Sequence, residues 1–130
     1  MIVVDTHIWV WWTLDTGRLS VAQHAAISRN EDDLIGVSAI SCWEVAKLYE
    51  YGRIELPTEL PDWMSTALAY PGVTLLELTP EAAIESTRLP GSFHRDPADQ
   101  IIVATARIHD CDLVTSDDKI VEYPHVRTIL

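Results

Sequence analysis

Basic residues are scarce in this sequence of 130 residues, where nine lysines and arginines stand against 20 acidic residues and give a net charge of -11. No basic stripe runs along the chain, which excludes a protein that binds nucleic acid through its overall electrostatic field. Any contact with nucleic acid must therefore be local. The basic residues nearest to the motifs described below are Lys47, Arg53, Arg95 and Lys119.

Cysteines and long apolar runs are also few. Cys42 and Cys111 lie in apolar segments without a CxxC neighbour, so we expect buried thiols rather than a disulfide or a zinc site. The first residues, MIVVDTHIWVWW, lack the features of a secretory signal, and Asp5 and His7 interrupt a run that is too short to cross a membrane. These absences predict a soluble, cytoplasmic protein.

The chain is long and apolar enough for one domain with a substantial core, residues 1–130, since 48% of its residues are hydrophobic. Apolar runs predict strands at residues 2–4, 34–37, 73–78, 112–116 and near 126–130. Helical patterns between them begin after Thr6, after Ser20, at Ser38 or Ser41 (to Tyr51), and at residues 62, 80 and 97. This alternation predicts a three-layer α/β/α fold with a central, mainly parallel sheet.

The segment HRDPADQIIVATARIHD, residues 94–110, combines two acids with the start of an apolar helix. Asp96 suits the N-cap, Pro97 the first helical position, and Asp99 the third. At helical spacing Asp99 points toward the side of the helix that should be packed, where a charge needs a partner. Two interpretations remain at this point: both acids cap a core helix, or Asp99 has a functional role.

Glu44 interrupts another apolar stripe, because Ile40 and Leu48 lie four residues before and after it. A capping box with Ser41 or a surface ion pair with Lys47 would explain this acid structurally. A lone carboxylate on an apolar face is costly, however, and this favours a functional role.

Two further acids, Asp5 and Asp117, directly follow predicted strands. Ligands of parallel sheets collect at the carboxyl ends of the strands, and the helices that carry Glu44 and Asp99 begin at the same edge. We therefore expect these four carboxylates, from four separate elements, to converge.

Such a cluster needs a compensating charge, since two carboxylates about 5 Å apart repel by roughly 3 kcal/mol at an effective dielectric of 20. Carboxylate oxygens suit Mg²⁺ or Mn²⁺, which also accept phosphate oxygens. A site of this kind can lower the pKa of a water and stabilise the leaving oxygen of a phosphodiester, with one or two metal ions. The cluster thus predicts metal-assisted hydrolysis of a phosphodiester.

Four segments, VVDTH, VSAISCWEVAK, HRDPADQIIVATA and LVTSDDKI, occur in this order along the chain. Together they closely resemble the PIN-domain ribonucleases, in particular the VapC-like toxins of bacterial toxin–antitoxin pairs, over nearly the whole chain. The resemblance implies a PIN-like fold and a catalytic metal site formed by Asp5, Glu44, Asp99 and Asp117. It also implies an accessory role for Asp96, and for Thr115 and Ser116 as a polar pair that orders the last acid or its water.

The resemblance further implies an Mg²⁺- or Mn²⁺-dependent endoribonuclease that forms a homodimer and is inhibited by a small antitoxin protein, which inserts a peptide into the active-site groove. Asp118 directly follows Asp117 and is an alternative ligand at that position.

Two other functions fit part of the pattern. A haloacid-dehalogenase-like phosphohydrolase also has an acid after its first strand and an acidic pair near its end, but its D-x-D start is replaced here by Asp5 and His7. A receiver-like module, or a catalytically silent PIN fold, would gather the same acids for binding alone. A receiver needs a lysine after its last strands, where this chain offers only Lys119.

Overall fold

A parallel β-sheet forms the centre of the computed structural model, which describes all 130 residues. The strands are β1 (Ile2–Val4), β2 (Ile35–Ser38), β3 (Val73–Leu76), β4 (Asp112–Val114) and β5 (Thr128–Ile129). The helices are α1 (Thr6–Thr13), α2 (Val21–Asn30), α3 (Ala39–Glu50), α4 (Leu60–Leu68), α5 (Pro80–Ser86), α6 (Pro97–Ile108) and α7 (Asp118–Val121). The five strands lie in the order β3-β2-β1-β4-β5.

All four strand pairings are parallel, because a helical segment crosses over between successive strands. β1 occupies the middle, with Ile2 opposite Ile35 of β2 on one side and opposite Asp112 of β4 on the other. From β1 the chain adds β2 and β3 on one side of the sheet and then β4 and β5 on the other, so the direction in which strands are added reverses at β1. The carboxyl end of β1 is therefore the place where such a fold forms its ligand site.

Helices cover both faces of the sheet. On one face, Trp9 of α1, Ile27 of α2 and Trp63 of α4 pack in a cluster that includes Val4 of β1. On the other face, α6 packs against Val3 and Leu113, and this follows from the alternation of side chains along a strand. The predicted three-layer α/β/α fold is confirmed, and the sheet is entirely parallel.

Two strands are shorter than their apolar patterns predict. β3 was expected to reach residue 78 but ends at Leu76, because it lies at the edge of the sheet and its single partner β2 ends opposite at Ser38. β4 was expected to reach residue 116 but ends at Val114. Thr115 and Ser116 leave the strand and direct their hydroxyl groups toward other elements, as described below.

Two helix starts, those of α1 and α4, differ from the predictions, and α3 begins at the first of its two predicted positions. Asp5, not Thr6, caps α1 by accepting the Thr6 backbone N–H. Ser38 caps α3, which leaves Ser41 fully buried inside that helix and excludes the capping box with Glu44. α4 begins at Leu60, earlier than predicted, since Pro61 fits its first turn.

Other expectations are met in part. Both cysteines are free, but only Cys111 is buried, whereas Cys42 is partly exposed. The turn predicted after Asp117 forms a short helix, α7. No helix has the length and apolar character that crossing a membrane requires.

Candidate functional site

A cleft of about 530 Å³ lies at the carboxyl end of the sheet, beside the end of β1. Five carboxylates from four regions of the chain line it: Asp5, Glu44, Asp96, Asp99 and Asp117. The structure thus brings together all four acids of the predicted metal site and the accessory acid. Asp118 does not line the cleft and is exposed on the surface.

Three of these acids cap helices that begin at the cleft. Asp5 caps α1, Asp96 accepts two backbone N–H groups at the start of α6, and Asp117 does the same at α7. Each cap places a carboxylate against the positive end of a helix, which offsets part of the repulsion within the cluster. The capping and functional interpretations of Asp96 are therefore compatible, because a cap uses one carboxylate oxygen.

Asp5 is the most buried acid of the site, with an exposed fraction of 3%. Its Oδ1 accepts the Thr6 N–H at 2.7 Å, and its Oδ2 accepts the Thr115 hydroxyl at 2.7 Å. Burial raises the pKa of Asp5 above its ordinary value, whereas the nearby His7 ring and these hydrogen bonds lower it.

Glu44 is held by a hydroxyl group of α1 rather than by its own helix. Thr6 Oγ1 donates to Glu44 Oε1 at 2.5 Å, and the hydroxyl of Ser41 lies 2.8 Å from the same Thr6 oxygen. Lys47 pairs instead with Glu50, which excludes the surface pair considered above. Burial is the main cause that raises the pKa of Glu44, and the charges of Asp5 and Asp96 add to it.

Asp99 lies at the centre of the electrostatic interactions of the cluster. Its pKa is raised to about 7, first by burial and then by the charges of the other four acids. In the absence of a bound cation, the Asp99 carboxyl group is therefore protonated in part of the molecules and ionised in the rest at neutral pH.

Two histidines, His94 and His7, lie close to the acids. His94 Nδ1 accepts the Asp96 N–H, and this places the ring proton on Nε2, 3.0 Å from Asp99 Oδ2. That Nε2 atom has no hydrogen bond of good alignment. His7 Nε2 accepts the Ser116 N–H, and His7 Nδ1 lies 3.6 Å from Asp5 Oδ2.

The predicted polar pair divides between two roles. Thr115 donates to Asp5 and accepts the Asp117 N–H at 3.1 Å, so its hydroxyl group fixes two acids. The Ser116 hydroxyl accepts from Gln23 Nε2 of α2 at 2.8 Å and contacts no carboxylate. Ser116 therefore anchors the loop after β4 rather than an acid side chain.

The possible donors of the cleft are carboxylate oxygens, the type of ligand that Mg²⁺ and Mn²⁺ prefer. Glu44 Oε2, Asp99 Oδ1 and Asp117 Oδ2 make no hydrogen bond to the protein, while the second oxygen of each group is positioned by a protein contact. No group of three or more His, Cys, Asp or Glu side chains is arranged to hold a metal ion as it stands. Mg²⁺ is usually bound through one or two carboxylates and keeps several waters, and this matches an open arrangement.

Comparisons with known proteins identify the relatives of this chain. A profile of the PIN domain family matches residues 2–126. Ribonuclease VapC22 of Mycobacterium tuberculosis (strain ATCC 25618 / H37Rv) is 35% identical over 128 residues, which cover 98% of this chain and 95% of that protein.

Solved structures share the whole fold at low sequence identity. VapBC2 from Rickettsia felis, bound to a DNA fragment from its promoter, matches with a TM-score of 0.70 at 16% identity, over 99% of this chain and 98% of that one. A toxin–antitoxin complex from Klebsiella pneumoniae matches with a TM-score of 0.66 at 19% identity, over 100% and 97% of the two chains.

Proposed function

Because this chain belongs to the PIN domain family, we propose that it is an endoribonuclease that uses Mg²⁺ or Mn²⁺ to hydrolyse phosphodiester bonds in RNA. One observation carries the proposal: five carboxylates, from four regions that are far apart in the sequence, line a single cleft at the end of the central strand. The similarity to a protein named as a ribonuclease supports RNA as the substrate class.

Asp5, Glu44, Asp99 and Asp117 are the residues that would hold the metal. When bound, the metal ion supplies a Lewis acid for a phosphate oxygen and lowers the pKa of a water. Thr115 and Thr6 keep Asp5 and Glu44 in fixed orientations through their hydroxyl groups. Such supporting hydrogen bonds preserve the geometry that catalysis requires.

Asp99 has a separate role in the proton balance of the site. Its pKa of about 7 means that the carboxyl group releases a proton near neutral pH, where a bound cation favours the ionised form. His94 Nε2 lies 3.0 Å from Asp99 Oδ2, on the side of the carboxyl group away from its unpaired oxygen.

The biological setting that we propose is a cytoplasmic toxin–antitoxin pair. The resemblance to VapC22 and the similarity of the fold to solved toxin–antitoxin complexes support an antitoxin protein as partner. We also propose that the chain assembles as a homodimer. Co-expression with the protein encoded next to this chain tests this part. Co-purification of the two proteins and loss of RNA cleavage in the complex are the expected results.

RNA cleavage by the purified protein is the direct test. Mixed structured RNAs are incubated with Mg²⁺ or Mn²⁺, with a chelator, and with the Asp99→Asn variant. Asp32→Asn is a matched control, because Asp32 is exposed and lies outside the cleft. We expect cleavage by the parent and by Asp32→Asn alone. Cleavage that persists in the chelator or with Asp99→Asn contradicts the proposed mechanism.

A further inference from the structure

Two arginines, Arg18 and Arg53, line the cleft that contains the five acids. They are the only lysine or arginine residues of its lining, in a chain that has nine in total. Neither side chain forms an ion pair within 4.0 Å, although carboxylates are part of the same cleft. The cleft therefore has two regions of opposite charge that do not neutralise each other by direct contact.

Trp11 holds the Arg18 side chain. The guanidinium carbon lies 4.3 Å from the centroid of the Trp11 ring, a cation–π contact. Arg18 comes back to Trp11 because α1 ends at Thr13 and the chain turns at Gly17. Gly17 has a φ of +73°, which a residue with a side chain rarely adopts. Arg18 is thus placed over the ring while remaining exposed to solvent.

The arginines at the opposite end of the sheet are different. A second cavity, of about 440 Å³, contains Arg107 and Arg127. Arg107 pairs with Glu85 at 3.0 Å, and Arg127 pairs with Asp110 and Asp112. Those arginines already have anionic partners within the protein, whereas Arg18 and Arg53 have none and remain available to an anion from solution.

We propose that Arg18 and Arg53 bind phosphate groups of single-stranded RNA next to the bond cut at the acidic cluster, and that Trp11 is a positioning residue for Arg18. This inference rests on the proposed function. A protein with a charge of -11 repels RNA overall, so binding requires local cations. Guanidinium groups bind phosphate through two parallel hydrogen bonds.

RNA fits the cleft with its two arginines better than an acidic peptide does. In an RNA strand, one phosphate can bind the cation of the acidic region while the neighbouring phosphates contact the arginines. The carboxylates of an acidic peptide have no such partner in the region of the five acids. The flat guanidinium of Arg18, which lies over the Trp11 ring and is exposed to solvent, also offers a surface on which a base can stack.

Salt-dependent binding tests the proposal. Fluorescence anisotropy with a labelled single-stranded RNA of mixed sequence is measured in Mg²⁺ at several salt concentrations, in the Asp99→Asn background to prevent cleavage. Arg18→Ala and Arg53→Ala are each expected to raise Kd roughly tenfold at low salt and to reduce the slope of log K against log salt by about 0.7. Arg29→Ala is the matched control, because Arg29 is exposed, unpaired and outside the cleft.

The positioning role of Trp11 requires a second measurement. Trp11→Leu is expected to weaken RNA binding in the Asp99→Asn background but to add no further loss when Arg18 is also alanine in that background. Trp11→Phe keeps an aromatic ring and is expected to restore most of the binding. An equal loss from Trp11→Leu in both backgrounds contradicts a role through Arg18.

The outcomes separate this inference from the proposed function. If the parent cuts RNA and both arginine variants bind RNA with the same salt slope as Arg29→Ala, the inference is wrong and the proposed function stands. If the variants bind RNA normally but lose affinity for an oligoglutamate peptide, Arg18 and Arg53 bind a protein partner and the inference is again wrong. If the parent neither binds nor cuts RNA, the proposed function itself is wrong.

Discussion

Thr115 donates a hydrogen bond of 2.7 Å to Asp5, and this bond joins the ends of β4 and β1 at the centre of the sheet. Thr115 is fully buried and Asp5 nearly so. The same hydroxyl oxygen accepts the Asp117 N–H, so one side chain sets the positions of two acids that are 112 residues apart in the sequence. The geometry of the acidic site therefore depends on a residue that does not line the cleft.

The first prediction concerns this hydroxyl group. Thr115→Val keeps the shape of the side chain but leaves a buried carboxylate oxygen without its donor, so we expect the free energy of unfolding to fall by about 1–3 kcal/mol. RNA cleavage should fall roughly 10- to 100-fold, as for other residues that support metal ligands. Urea unfolding and cleavage assays measure the two effects. Thr115→Ser keeps the hydroxyl and should retain most of both properties; equal losses in the two variants contradict the role of the hydrogen bond.

The second prediction is the pH dependence of stability without metal. The pKa of Asp99 is raised from 3.8 to about 7, so the folded protein binds this proton more tightly than the unfolded chain does. The contribution of Asp99 to the free energy of unfolding is therefore most favourable below about pH 4, declines as the pH rises toward 7, and remains unfavourable above it. Asp99→Asn, which cannot ionise, should lose this decline.

Urea unfolding in a chelator between pH 4 and pH 8 measures this difference. The variant should gain stability relative to the parent as the pH rises, while Asp32→Asn should follow the parent at every pH. A variant that is less stable than the parent at pH 8 would show that Asp99 serves the helix start of α6 more than the acidic site.

The sequence predicts the acids of the cleft better than their partners. Asp5 and Asp117 follow apolar strands, and Glu44 interrupts an apolar stripe, so local patterns and the rule for parallel sheets suffice to place them. His94 and Thr6 contact acids through loop geometry and helix packing that no periodicity encodes. The sequence alone therefore specifies the charged groups but not the hydrogen bonds that orient them.

The same limit explains the errors in the fold. The extent of β3 depends on where its neighbour β2 ends, and β4 ends at Val114, opposite the last residues of β1 and β5. Both are contacts between distant segments. The order and type of the strands, by contrast, follow from short apolar runs separated by helices, and these features are readable from the sequence.

The third prediction concerns stabilisation by metal. Mg²⁺ that binds the folded site as proposed, and not the unfolded chain, should raise the unfolding temperature of the parent, with a gain of about 2.7 kcal/mol when its concentration is 100 times Kd. The gain should be much smaller for Asp99→Asn, which lacks one carboxylate of the site. Thermal unfolding at constant ionic strength, with Asp32→Asn as control, measures the effect. An equal gain in all three proteins would indicate general screening of charge and contradict a specific site.

The last prediction separates two adjacent acids, Asp117 and Asp118. Asp117 lines the cleft and caps α7 through Oδ1, whereas Asp118 is exposed and lies outside the cleft. Asp117→Asn can still accept the capping hydrogen bonds but removes a charge from the site, so we expect RNA cleavage to be lost while the unfolding midpoint in a chelator stays the same or rises. Asp118→Asn should cleave RNA at the parental rate. Loss of cleavage in Asp118→Asn but not in Asp117→Asn would assign the metal-binding role to the second acid and would require the loop after β4 to move on binding the metal.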